Sequence, residues 1–202
     1  LIDFALDKFG QIDILVNNAG ISMRANFNDL HLDVIRKVMD VNFWGSVYCT
    51  KYALPSILKQ QGSIVGISSI SGITPLPGRT GYVASKHALD GFLETIRLEN
   101  KETKLHVMLV HPGFTSSNIR NVALNHWGQP QGESPRNEDE MMSPEEVAEE
   151  IVKGIVYRRD NLILTTQGKL ISWIYYNMPA LANRLIYNEM KREANAPFSL
   201  FF

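Results

Sequence analysis

Gly62-Ser-Ile-Val-Gly-Ile-Ser-Ser-Ile-Ser-Gly72, followed by Gly81-Tyr-Val-Ala-Ser-Lys-His-Ala-Leu89, is the stretch that decides the fold. Its first part, Ser63 to Ser68, has the short apolar run of a buried strand. A loop with Pro75 and Pro77 is expected over residues 70 to 80, and a helix from Gly81 to Asn100. Tyr82 and Lys86 stand four residues apart, hence on one helix face. An ammonium beside a phenol favours the phenolate and lowers its pKa from about 10. Such a tyrosine can exchange a proton with an alcohol or carbonyl oxygen, and Ser69, at the strand's end, can hold the same oxygen. Alone, a Tyr-x-x-x-Lys pair is usually solvated helix surface.

Working outward, Leu1 to Phe9 reads as the tail of a helix stopped by Gly10, and Ile12 to Val16 as a strand. Residues 21 to 31 form a polar loop, and Leu32 to about Gln60 a long helix with Pro55 near its end. Leu105 to His111 is the next strand. Strands alternating with helices indicate a parallel α/β sheet covered on both faces. Phe114 to Met142, rich in Asn, Gln, Gly, Ser and Pro, reads either as a lid over the site or as a surface excursion. Within it, His126 and Trp127 either touch substrate or anchor the loop. Ser143-Pro-Glu-Glu146 is a strong helix start, running to about Arg158, and Asn161 to Thr165 is a last strand.

Residues 168 to 192 present a broad apolar helical face interrupted by Pro179. Three readings compete: packing on its own domain or a dimer partner, a substrate-pocket wall, or a membrane-surface helix. Low basic charge argues against the last. At 202 residues, 45% hydrophobic and with net charge −1, the chain can build a sizeable core and has no electrostatic support for nucleic-acid binding. Cys49, the single cysteine, reads as a small hydrophobe and fits a reducing, cytoplasmic setting. The Asp and Glu residues show no metal-ligand spacing, so no metal is expected.

Ser69, then Tyr82 thirteen residues on, then Lys86, resembles the active-site signature of the short-chain dehydrogenase/reductase family. Asn17-Asn18-Ala19-Gly20 after an apolar strand resembles the family's N-N-A-G. Asn42, in Val41-Asn-Phe-Trp-Gly45, falls where the family keeps a catalytic asparagine, and Pro112-Gly113 follows a strand as its P-G motif does. The resemblance runs from about Phe9 to Ser117 and more loosely to about Thr166. It implies a Rossmann-like doubly wound sheet, with residues 1–166 as a partial catalytic domain and 167–202 as a helical extension. A full-length member opens with T-G-x-x-x-G-x-G roughly seventy residues before N-N-A-G, to cradle the cofactor pyrophosphate. Only sixteen residues precede Asn17 here, and no initiator Met. The expectation is a fragment, incomplete at its N-terminus, with an exposed edge at the N-N-A-G strand and poor stability in isolation.

By resemblance, Tyr82 is the general acid–base and Lys86 lowers its pKa while binding the nicotinamide ribose. Ser69 polarises the substrate oxygen, and Asn42 orders the backbone and a water leading from Lys86 to solvent. The cofactor is NAD(P)(H), with NAD against NADP left open. Asn18, Ala19 and Gly20 would line its adenosine side; Pro112, Gly113, Phe114, Thr115 and Ser117 would surround its nicotinamide, Ser117 standing where threonine is frequent. The implied activity interconverts an alcohol with a ketone or aldehyde, the substrate moderately hydrophobic, in a homodimer or homotetramer. An alternative is a non-catalytic interaction module pairing through the helices around 32–58 and 81–100. An acyl-transfer hydrolase is a distant third, since no G-x-S-x-G elbow is present.

Overall fold

The computed structural model describes residues 1–132, 134–135, 137 and 141–198. At its centre β1 (Ile14–Asn17), β2 (Ser63–Ile67), β3 (His106–His111) and β4 (Asn161–Ile163) lie side by side in that order, all parallel. The helices are α1 (Ile2–Phe9), α2 (Leu32–Met39), α3 (Gly45–Gln60), α4 (Thr80–Glu99), α5 (Pro144–Val156), α6 (Thr166–Asn177) and α7 (Pro179–Lys191). The α/β parallel-sheet class read from the sequence is the fold observed.

Alternation along the central strands builds two cores. Ile64, Val107 and Leu109 pack against Ala53 and Ile57 of α3 and Leu89 and Leu93 of α4. Val65, Met108 and Val110 face the other way, onto Leu162 and the α5 residues Ile151 and Ile155. The expected cover on both faces holds for β2 and β3 and fails at β1. There Leu15 joins the first core, whereas Ile14 and Val16, on the α5 side of the sheet, remain 49% and 43% exposed. No helix among the described residues lies over them. Pairing joins β1 to β2 alone, so its outer edge is open, as the N-N-A-G strand was expected to be.

The helix expected from Leu32 to Gln60 is continuous but not regular. Between α2 and α3 the residues Asp40–Trp44 form a π-helical turn, which no feature of the periodicity signals. Pro55 sits inside α3 without ending it. Gly10 closes α1 at φ 77°, its N–H donating to Leu6 O at 2.8 Å. Ser143 caps α5 with both bonds of a capping box present.

The described part of 114–142 is tied down rather than loose. Arg24 N donates to Leu124 O at 2.8 Å, Leu124 N to Ser22 O at 2.9 Å and His31 N to His126 O at 3.1 Å. Leu124 is buried in a cluster with Met23, Leu30, Val34 and Val38, while the Trp127 ring lies 4.3 Å from His31. His126 and Trp127 therefore anchor this segment to the start of α2. The lid expectation at 133, 136 and 138–140, and the extension at 199–202, lie outside the described residues. Helices α6 and α7 pack on each other and bury Gly168, Ser172, Ala182, Ile186 and Met190. Among the described residues no helix is long and apolar enough to cross a membrane.

Candidate active site

The carboxyl ends of β1, β2 and β3 converge on one corner, where ligands collect in open α/β sheets. The π turn brings Asn42 there, 1% exposed; such turns recur at functional sites because they re-aim a side chain within a helix. Asn42 Oδ1 accepts from Ile21 N at 2.8 Å, and its Nδ2 donates to Ile21 O at 3.0 Å and to Ser85 Oγ at 2.8 Å. Ser85 Oγ in turn donates to Tyr82 O at 2.7 Å. One amide thus stitches the turn after β1 to α4.

Helix α4 carries Tyr82 and Lys86 toward the same corner. A Cβ placed on Gly20 would lie 3.5 Å from Lys86 Nζ and 3.6 Å from Asn42 Oδ1, so these three residues touch one small space. Lys86 is 4% exposed, its Nζ donating to Ile67 O at 2.8 Å and lying 5.7 Å from the Tyr82 ring centroid. Burial drags the ammonium down to a pKa of about 8, with Asp90 one turn further on pulling upward. Ser69 extends from the end of β2; its Oγ accepts from Ser71 N at 3.1 Å, and its side chain pulls the Tyr82 phenol pKa downward.

The expected depression of the Tyr82 pKa is not what this geometry gives. Burial raises it above the ordinary phenol value, against smaller downward pulls from the Ser69 hydrogen bond and the Arg79 charge. Lys86 spends its closest contact on the Ile67 carbonyl and reaches only the face of the ring. Tyr82 therefore holds its proton more tightly than a free phenol does.

Asn18 and Ala19 are exposed at the exit of β1, with Gly20 half-buried behind them. Pro112 O accepts from Ile70 N at 3.1 Å, tying the Pro-Gly turn to the turn after Ser69. Thr165 closes over that turn, and a Cβ on Gly113 would meet its Oγ1 at 2.7 Å. Phe114 is exposed, Thr115 bridges to Met142, and Ser117 is half-buried. Among the described residues no hydrogen bond links Ser117 to Tyr82 or Lys86. The residues present fit one end of a dinucleotide. An ammonium has three donors, and Lys86 uses one on Ile67, which leaves others for a ribose hydroxyl. The 202 residues contain no glycine-rich turn of the T-G-x-x-x-G-x-G kind to cradle pyrophosphate. Among the described residues no group of side chains could hold a metal ion.

Several supporting residues escaped the sequence reading. Asn17 is buried, its Nδ2 donating to Thr50 Oγ1 at 3.1 Å, so the first asparagine of the motif fastens β1 to α3. Asp90 continues the Tyr82, Lys86 spacing by four and meets His111 Nε2 at 3.0 Å. That continuation was a legible signal; the partner across the fold was not. His111 is buried as well as bonded to Asp90, and His87, next to Lys86, is exposed.

A family model described as short chain dehydrogenase matches residues 1–126. Dehydrogenase/reductase SDR family member 7B from mouse is 35% identical over 196 residues, 96% of this chain and 61% of the mouse protein. Its Xenopus tropicalis counterpart is 39% identical over 186 residues, 92% of this chain and 59% of that protein. The chain thus spans about 60% of the length of these curated relatives. Among solved structures, a short-chain dehydrogenase from Streptomyces avermitilis superposes with a TM-score of 0.76 at 22% identity, covering 95% of this chain and 74% of that one. A Burkholderia phymatum short chain dehydrogenase/reductase in complex with NAD gives 0.76 at 21% identity, over 89% and 70% of the two chains. One from Burkholderia cenocepacia J2315 in complex with NADP gives 0.73 at 21%, over 92% and 73%. The structural likenesses speak for the fold. The family match, spanning most of the chain and all of the Asn42, Ser69, Tyr82 and Lys86 positions, settles the lineage: the chain belongs to the short-chain dehydrogenase/reductase family.

Proposed function

We propose that the protein to which this chain belongs is an NAD(P)(H)-dependent oxidoreductase that interconverts an alcohol and a ketone or aldehyde. The observation that carries the reading is a buried Lys86 lying against the Tyr82 ring beside a fully bonded Asn42, with Ser69 acting on the same phenol. A buried ammonium and a buried amide are costly ornaments on a mere binding surface. Ser69 and Tyr82 present two hydroxyls to one substrate oxygen, Ser69 polarising it and Tyr82 donating the proton in reduction or taking it in oxidation. Lys86, with a pKa of about 8, is charged through most of the neutral range and can hold a ribose hydroxyl while supporting the phenolate that forms. The nicotinamide supplies the hydride. Asn42 fixes the turn that carries Asn18, Ala19 and Gly20, which would line the adenosine side, and stands beside the route by which Lys86 regains a proton from solvent. Pro112, Gly113, Phe114, Thr115 and Ser117 would border the nicotinamide. Exposed Trp44, at the end of the π turn, and Tyr48 and Tyr52 on α3 are suited to pairing two copies of the chain.

The test is titration of NADPH and NADH into the purified protein to which this chain belongs, followed by nicotinamide fluorescence, with Tyr82→Phe as the control. The reading expects saturable binding in both, and hydride transfer to a ketone panel in the unsubstituted protein alone. Transfer that survives Tyr82→Phe at full rate would sink the assignment.

A further inference from the structure

The C-terminal tail reaches the catalytic corner through a buried ion network. Just beyond α7, Glu193 Oε2 lies 3.1 Å from Arg79 Nη2 and 3.5 Å from Arg24 Nε, with its side chain 2% exposed. A second nitrogen of Arg24 donates to the Ala194 carbonyl. Further along, Pro197 packs on Gly78, where a Cβ would meet its ring carbon at 2.8 Å. Gly78 has φ +74°, the left-handed region that glycine tolerates best, and its carbonyl accepts from Ala25 N at 3.0 Å. The Phe198 ring, 5.6 Å from Tyr187, holds the end of the tail against α7. Residues 193–198 are thus strapped across Leu76–Arg79, the end of the segment that joins Ser69 to Tyr82.

Fastening a tail does not call for charge, because well-packed apolar groups do as well as a buried ion pair. Placement offers a reason for it. Arg79 immediately precedes α4, three residues before Tyr82, and its charge favours the phenolate. We propose that Glu193 is a positioning residue for Tyr82: by pairing with Arg79 and Arg24 it fixes the tail over the Leu76–Arg79 loop and sets how strongly the Arg79 guanidinium acts on the phenol. This extends the acid–base reading of Tyr82 and rests on it. Among the described residues the charged groups that bear on the phenol are Arg79, from the cap of α4, and Lys86, 5.7 Å from the ring; Glu193 from the tail bears on it through Arg79, and Arg24 from the segment after β1 through Glu193. Asp90, paired with His111, acts one step removed through Lys86. The chemistry at one end of the chain would then be tuned from the other.

Tyrosine labelled with carbon-13 at Cζ reports ionisation directly, and comparison with Tyr82→Phe assigns the Tyr82 signal. The full chain, without cofactor, is titrated upward from about pH 7 to about pH 12, with folding checked by circular dichroism and the displacement of the titration curve between variants read from its onset. Glu193→Gln keeps the shape and removes the negative charge. Its Tyr82 midpoint should fall by about half a pH unit or more, about threefold in ionisation constant, while Arg79→Gln should move it upward. An unchanged midpoint in folded Glu193→Gln overturns the proposal. Should that variant unfold, Glu193→Asp keeps the charge but draws the carboxylate back from Arg79; a midpoint below that of the unsubstituted chain supports the proposal and an unchanged one overturns it. No nicotinamide enters this titration. An unmoved midpoint therefore leaves the oxidoreductase reading intact, and failed cofactor binding leaves the tail's effect on Tyr82 intact.

Discussion

Helices α4 and the α6–α7 pair reverse one another. Helix α4 and its cap bury what helices ordinarily expose: Arg79, Ser85, Lys86 and Asp90 are all under 10% exposed. The α6–α7 pair exposes what helices ordinarily bury: Leu170 and Trp173 are 58% exposed, Tyr176 72% and Leu181 42%. Buried polar residues carry a desolvation cost that packing does not return, so they mark where the fold is constrained by something other than stability. Exposed apolar residues cost little singly and mark a surface that the described residues leave uncovered. The first helix thus carries strain for the sake of its site, and the second pair carries surface.

Lys86→Met tests the reversal with the largest effect. On the proposed function, turnover of the protein to which this chain belongs should fall on the order of a thousandfold, the scale of losing an acid–base partner. Stability should move the other way. A lysine held at a pKa of about 8 and freed to the ordinary 10.5 on unfolding binds its proton less well in the fold. Between those values the unfolded chain holds more protons, so stability should rise with pH across that window by ~3 kcal/mol. Below it the penalty is constant. Lys86→Met should lack the rise and be the more stable protein at neutral pH by ~2 kcal/mol, after losing a hydrogen bond to Ile67 worth ~1 kcal/mol. Tyr82 has the opposite sign: with its folded pKa raised, the stability it contributes is lost as pH climbs above the unfolded phenol value. Urea titrations across this range, with Tyr82→Phe alongside, separate the two.

Asn42→Ala comes next. It strands the Ile21 N–H and C=O and removes the Ser85 contact, so a loss of ~3 kcal/mol is expected in denaturant unfolding. A loss under ~1 kcal/mol would show that water replaces the amide easily and that the corner is less rigid than its bonds imply. Smaller again is Asp90→Asn, read by nuclear magnetic resonance of the Lys86 ammonium. Asp90 pulls the Lys86 pKa upward, so its neutralisation should lower that value further below about 8. A rise instead would mean that the Asp90 charge does not act on Lys86 as its placement implies.

What the sequence made legible follows from how local each feature is. The strand, the Ser143 cap and the Tyr82–Lys86 spacing are written within a few residues, and each lies where expected. Asn42 was legible as a residue but not as a geometry, since a π turn leaves the hydrophobic period almost intact. The Tyr82 pKa was read with the wrong sign because spacing reports a neighbouring charge and cannot report burial. The Arg79–Glu193 pair spans 114 residues, and no local pattern links its members. Exposure at β1 was expected from its place at the edge, but which side chains it leaves bare was not: Ile14 and Val16 are identified only once the sheet shows which face lacks a helix.

The smallest effect belongs to the exposed pair of helices, and it tests the other half of the reversal. Leu181→Gln and Leu185→Gln alter side chains 42% and 44% exposed, on a helix held through Ala182, Ile186 and Met190. Each should change the unfolding free energy of the chain by under ~0.5 kcal/mol. A larger loss in dilute, monomeric protein would mean that this face closes onto the body of the chain in solution. A loss that appears only as concentration rises would mean that a second copy covers it, since a partner that binds only the folded state stabilises by mass action. The two outcomes divide the readings of residues 168–192 that the sequence left open. They turn on the same physical point as α4: a helix's composition says what it can bury, and only its neighbours decide what it does bury.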